Sequence, residues 1–247
     1  MQARIVVVGT GTGVGKTHIA AALTRELGRR RPGVAAGKPI ESGVTNVDDS
    51  DAAILCRAAG RAFVAPLHSF AKPVSPHRAA RKQGTLIELE PLVKWVDGLD
   101  GDPVVIETAG GLFSPLSYDC TNLELVLALA PAAIVLVGGD RLGALHDVRG
   151  CLRGLGALAS RTVVVLSAPV EVDASSGTNC SELIGLGWTD LAVAFPRSAA
   201  TSSETTLAAR FLADAIEPRL PRSPESDPLR ADRHDTQPPP TLPAPHG

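Results

Sequence analysis

Short β-branched and aliphatic runs alternate along this chain with longer stretches whose apolar positions recur at helical spacing. Arg4 to Val8 and Val34 to Ile40 read as strands, and Val104-Val105-Ile106, Ala133 to Val137 and Thr162 to Leu166 as buried strands. Lys16 to Arg31 and Asp49 to Ala59 read as helices, Leu191 to Phe195 as a late edge strand and Thr205 to Ile216 as a closing helix. Strands alternating with helices predict βαβ units and an open parallel sheet. Right-handed crossovers then align the strand C-termini along one edge, where ligands bind.

That periodicity stops near the C-terminus. Eight of the 27 residues from Pro221 to Gly247 are proline, and no apolar pattern survives. A segment of that composition buries too little surface to offset its ordering entropy. The expected division is therefore one folded domain over residues 1–220 and a disordered Pro-rich tail over 221–247.

Composition narrows the class. Hydrophobic residues are 44% and aromatic residues only 3%, so the core is built from Val, Leu, Ile and Ala, as in parallel sheets covered by helices on both faces. With 24 Lys+Arg against 26 Asp+Glu, the net charge of −2 argues against nucleic-acid binding. No apolar run approaches the roughly 18 residues of a membrane span. The opening Met1-Gln2-Ala3-Arg4 carries no apolar leader, so no export is expected. Cys56, Cys120, Cys151 and Cys180 form no CxxC pair, which fits reduced thiols in a cytoplasmic protein. Without export, the triplet Asn179-Cys180-Ser181 is read as chance.

The first strand runs into Thr10-Gly11-Thr12-Gly13-Val14-Gly15-Lys16-Thr17, a phosphate loop in which Thr10 replaces the usual first glycine. Strand, loop and helix follow in the order this motif requires. Glycines let backbone amides converge on phosphate oxygens, and the helix start adds positive potential. Lys16 is expected at the β- and γ-phosphates and the Thr17 hydroxyl on Mg²⁺. The fold expected is a single P-loop NTPase-type α/β domain. The loop specifies a nucleoside triphosphate, not the chemistry that follows.

Lys38-Pro39 closes the second strand and brings a second lysine beside the loop, where it can neutralise charge on a transferring phosphoryl group. The plainer alternative is a solvated lysine at a strand end. Asp51 lies near a helix start, and Glu107 follows Val104-Val105-Ile106 and precedes Ala109-Gly110-Gly111. Thr17, Asp51 and Glu107 together offer Mg²⁺ three hard oxygen donors. Asp51 equally suits N-capping, and Gly110-Gly111 a tight turn. His77, after Ser75-Pro76, reads as a structural residue at a helix start more readily than as a direct participant. The nucleotide site read here comprises Gly13, Val14, Gly15, Lys16, Thr17, His18, Asp51, Glu107, Thr108, Ala109 and Gly110.

In this order, Gly9 to Thr17, Lys38-Pro39-Ile40-Glu41-Ser42-Gly43, Asp51, Pro73-Val74-Ser75-Pro76-His77 and Glu107 to Leu116 resemble the dethiobiotin synthetases, ATP-dependent enzymes of biotin synthesis. Arg141-Leu142-Gly143 is also similar, and the likeness spans roughly residues 4–200. The resemblance implies that one amine of 7,8-diaminononanoate takes up CO₂, that ATP phosphorylates the carbamate, and that the second amine closes a cyclic urea. It implies catalytic roles for Lys38 and Lys16, substrate contacts from Thr12 and Ser42, Mg²⁺ on Thr17, Asp51 and Glu107, and a homodimer with active sites at the subunit interface. The chain departs from many members at Gly11, where they have Asp, and at His146, where they have Asn. It also has Ser167-Ala168-Pro169 where an Asn-Asp pair reads adenine. An amide can pair bidentately with adenine and an alanine cannot, so that base contact is lost.

Other readings stay open. A ParA/MinD-like ATPase switch usually has an extra lysine early in the loop, and Gly9 to Gly13 has none. An amidoligase of the cobyrinic acid type would normally need a glutaminase domain, for which the length leaves no room. A plain nucleotide-binding module leaves Lys38 and Glu107 unexplained.

Overall fold

The computed structural model describes residues 2–221; most of the expected tail lies outside them. Six strands form one parallel sheet in the order β2-β5-β1-β6-β7-β8: β1 Arg4–Gly9, β2 Ala35–Gly37, β5 Val104–Gly111, β6 Ala133–Gly139, β7 Thr162–Ser167 and β8 Ala192–Phe195. A two-stranded parallel sheet pairs β3 Ile40–Ser42 with β4 His68–Phe70. The edge position of β8 agrees with the reading of its sequence.

Alternate residues of β1 enter two separate cores. Ile5 and Val7 face α1 Lys16–Arg30, α2 Asp51–Ala58 and α8 Ser203–Ile216, through Leu23, Leu55 and Leu212 among others. Val6 and Val8 face α4 Leu89–Asp97, α5 Asn122–Leu129, α6 Ala144–Leu155 and α7 Asn179–Gly185, through Leu92, Leu125, Val148 and Leu183. Helices on both faces leave the central strands no polar side, which is why their sequences are mainly apolar up to the C-terminal edge, where Glu107 and Thr108 of β5 stand.

One strand assignment needs correction. Val34 to Ile40 is not a single strand: β2 and β3 belong to different sheets, and Lys38-Pro39 links them. Proline has no amide for a ladder, so the chain leaves the main sheet there and starts a new pairing with β4. The helix expected from Asp49 begins at Asp51, after a 3₁₀ turn over Val47–Asp49. A helix α3, Pro76–Gln83, follows Ser75.

Candidate functional site

The phosphate loop leaves β1 at its C-terminal edge, held by the Thr10 amide on the Val137 carbonyl of β6 (2.8 Å). Gly15 has φ 96°, and a Cβ there would stand 2.8 Å from the Ser167 hydroxyl oxygen, so only glycine fits. The first turn of α1 has no side-chain cap and no acidic residue. Its amides and the positive end of its dipole are thus left for an anion. Lys16 lies back across its own loop, its Nζ donating to the Gly11 carbonyl (3.1 Å). Burial pushes the Lys16 ammonium down to about 8, and Lys38 adds to that, against the opposing pull of Glu107 and Asp51.

β5 lies next to β1, with Glu107 in register with Val7. Glu107 is 1% exposed. Its Oε1 accepts from Lys38 Nζ (2.7 Å) and from Thr17 Oγ1 (2.9 Å). Its Oε2 is buried with no partner among the described residues. Lys38 also donates to the Asp51 carboxylate at the first position of α2. Burial alone would lower the Lys38 pKa, but the two carboxylates outweigh it and hold the ammonium above the ordinary lysine range.

These groups line one cavity of about 510 Å³. The loop and first turn contribute Thr12, Gly13, Gly15, Lys16, Thr17 and His18. Lys38 comes from the link between β2 and β3, and Ser42, Asp51, Glu107, Ala109 and Gly110 come from β3, α2 and β5. Val14 and Thr108 are not in its wall: Val14 packs toward the core, and the Thr108 hydroxyl turns to the Val7 carbonyl (3.4 Å). His77 is also outside the wall, while its neighbours Ser75 and Pro76 are in it. His146 is exposed on α6.

Three further residues were not singled out from the sequence. Ser114 lines the cavity and accepts from the Gly111 amide (2.9 Å). Asn122, fully buried, donates to the Ala109 and Gly111 carbonyls (2.6 and 2.8 Å) and so holds the end of β5. Glu41 accepts from the Asp51 and Ala52 amides (2.7 and 3.2 Å). Ser114 and Glu41 belong to motifs already noted, which was a usable signal. Asn122 carries none.

The donor set suits a small hard cation. Thr17, Asp51 and Glu107 offer oxygen only, and the Oε2 of Glu107, without a partner among the described residues, is spare acceptor capacity. No group of three or more His, Cys, Asp or Glu able to hold a metal occurs among the described residues. Mg²⁺ generally takes one or two carboxylates and completes its shell with substrate phosphates and water.

A second cavity, about 520 Å³ and mainly apolar, opens where β7 and β8 end against α8. Leu166, Ala168, Pro196, Leu207 and Phe211 line it, with Asp140 and Glu204 as its acids. Beside it Arg197 donates to the Ala168 carbonyl (2.6 Å) and reaches the Gly13 carbonyl (3.4 Å), joining this edge to the phosphate loop. Among the described residues, no amide side chain stands in this wall.

A family model described as an AAA domain matches residues 3–168. The ATP-dependent dethiobiotin synthetase BioD of Caulobacter vibrioides is 36% identical over 188 residues, covering 70% of this chain and 84% of the relative. The protein of the same name from Rhodococcus jostii is 34% identical over 199 residues, covering 78% and 85%. Among solved structures, a ParA family ATPase from Chlorobium tepidum aligns with TM-score 0.50 at 15% identity, over 87% of this chain and 96% of its own. A chain of the MinC:MinD cell division protein complex of Aquifex aeolicus aligns with TM-score 0.53 at 12% identity, over 95% and 98%. At such identities the two structures speak to the fold alone.

Proposed function

This chain belongs to the ATP-dependent dethiobiotin synthetase family, and on that premise we propose that it is a cyclo-ligase making dethiobiotin from 7,8-diaminononanoate, CO₂ and ATP. One amine adds to CO₂ and loses a proton, giving a carbamate. The carbamate oxygen attacks the γ-phosphorus of ATP and ADP leaves, giving a carbamic–phosphoric anhydride. The second amine attacks the carbamoyl carbon, phosphate departs with the bridging oxygen, and loss of a proton leaves the five-membered urea. The reaction needs no protein nucleophile, so positioning and charge stabilisation carry it.

The observation behind this reading is the joining of Lys38, Glu107, Asp51 and Thr17 in one wall of the cavity that the phosphate loop closes. Loop amides and Lys16 bind the β- and γ-phosphates. Lys38, held charged by its acids, stabilises the transferring phosphoryl group. Thr12 and Ser42 contact the diamine or its carbamate. Thr17, Asp51 and Glu107 hold Mg²⁺, which supplies positive charge to the phosphate oxygens when bound. The nucleoside reaches toward the second cavity, and the active unit is a homodimer in the cytoplasm. The ParA/MinD-like alternative has support only at the level of fold.

The test is phosphate release from ATP with bicarbonate and Mg²⁺, with and without the diamine. Release that depends on the diamine, with cyclic urea formed one for one, supports the reading. Release indifferent to the diamine rejects it.

A further inference from the structure

We propose that Glu41 is a positioning residue that fixes Asp51, and through it the divalent cation, by holding the first backbone amides of α2. The inference rests on the cation role given to Asp51 above. Glu41 sits in the middle of β3 and is 5% exposed. Its two oxygens accept from the Asp51 amide (2.7 Å) and the Ala52 amide (3.2 Å). Ser50 is the N-cap and accepts only from the Ala53 amide at 3.1 Å, so Glu41 takes the two first-turn amides that Ser50 leaves. A buried carboxylate is costly unless it is hydrogen-bonded, and among the described residues Glu41 meets that need with the α2 amides alone.

The arrangement grips one residue twice from one segment. Lys38 holds the Asp51 side chain, and Glu41 holds its main chain. Ser42, next along, lines the cavity. The stretch from Lys38 to Ser42 thus sets the separation between Asp51 and Glu107, the two carboxylates of the cation site. Partners one shell behind a metal ligand commonly change affinity by about 10- to 100-fold.

The experiment is Mn²⁺ binding to the ADP-bound protein, followed by the paramagnetic resonance of free Mn²⁺, for wild type, Asp51→Asn, Glu41→Ala and Glu41→Gln. Glu41→Ala is expected to weaken Mn²⁺ about tenfold. Glu41→Gln, which keeps an acceptor for the Asp51 amide, recovers most of the loss, and metal-free ADP affinity is unchanged in the Glu41 variants. If Glu41→Ala does not fold, Glu41→Asp, with the same charge and shorter reach, replaces it with the same expected direction. Unchanged Mn²⁺ affinity in the Glu41 variants, beside a loss in Asp51→Asn, overturns the positioning role. So does an equal loss of metal-free ADP affinity in Glu41→Ala. Unchanged affinity in Asp51→Asn instead removes the cation role of Asp51, and the positioning role with it.

Discussion

The Lys38 ammonium lies 2.7 Å from Oε1 of Glu107, with only 7% and 1% of the two side chains exposed. A buried ion pair is weak evidence of stabilisation, because desolvation cancels much of the attraction. This pair also faces a cavity, and Asp51 completes a cluster of two acids on one lysine. Chemistry accounts for the cluster better than stability does.

Replacing Lys38 by Met leaves the phosphate loop intact and strands two carboxylates. Turnover should fall roughly a hundred- to a thousandfold, the scale of losing one well-placed charge-stabilising donor. ATP affinity by calorimetry should stay close to wild type. A variant that turns over normally would remove Lys38 from the reaction.

Thr17 donates its hydroxyl to Glu107 at 2.9 Å. Thr17→Ala should raise the Mg²⁺ concentration needed for half-maximal turnover, while Thr17→Ser should restore it. Titrating Mg²⁺ at saturating ATP checks this. Equal Mg²⁺ requirements in all three proteins would place the cation elsewhere.

Asn122 ties the Ala109 and Gly111 carbonyls beneath the cavity. Asn122→Ala leaves both without that donor and should destabilise the protein by about 1–3 kcal/mol. Urea unfolding measures the loss. An unchanged midpoint would mean that the turn holds itself.

Base selection should be loose. Ser167-Ala168-Pro169 puts no amide at the end of β7, and the adjoining cavity offers mainly apolar wall and two acids. A bidentate base contact contributes about 1–3 kcal/mol of discrimination. Without it, GTP and CTP should support ring closure within about tenfold of ATP. Strict dependence on ATP would show that another group reads the base.

The phosphate loop was legible because its function needs fixed residues at fixed spacing, from Gly13 to Thr17. Lys38 and Glu107 were legible because each ends or follows an apolar strand aimed at the same edge. The split of β2 from β3 was not: periodicity marks a strand but not the sheet that pairs with it, and only the tertiary course shows that the chain turns away at Pro39. Asn122 was hidden for a related reason, since its partners lie 11 and 13 positions back along the chain. Glu41 stood inside a recognised motif, but its role depends on where α2 begins.

In the proposed reaction a carbamate oxygen, not water, receives the γ-phosphoryl group between Lys16, Lys38 and the paired acids. Bicarbonate labelled with ¹⁸O, given with ATP and the diamine and quenched before exchange with water, tests it directly. Phosphate carrying one labelled oxygen for each ring closed is the expected result. Unlabelled phosphate, formed at the same rate as the ring, would contradict the account.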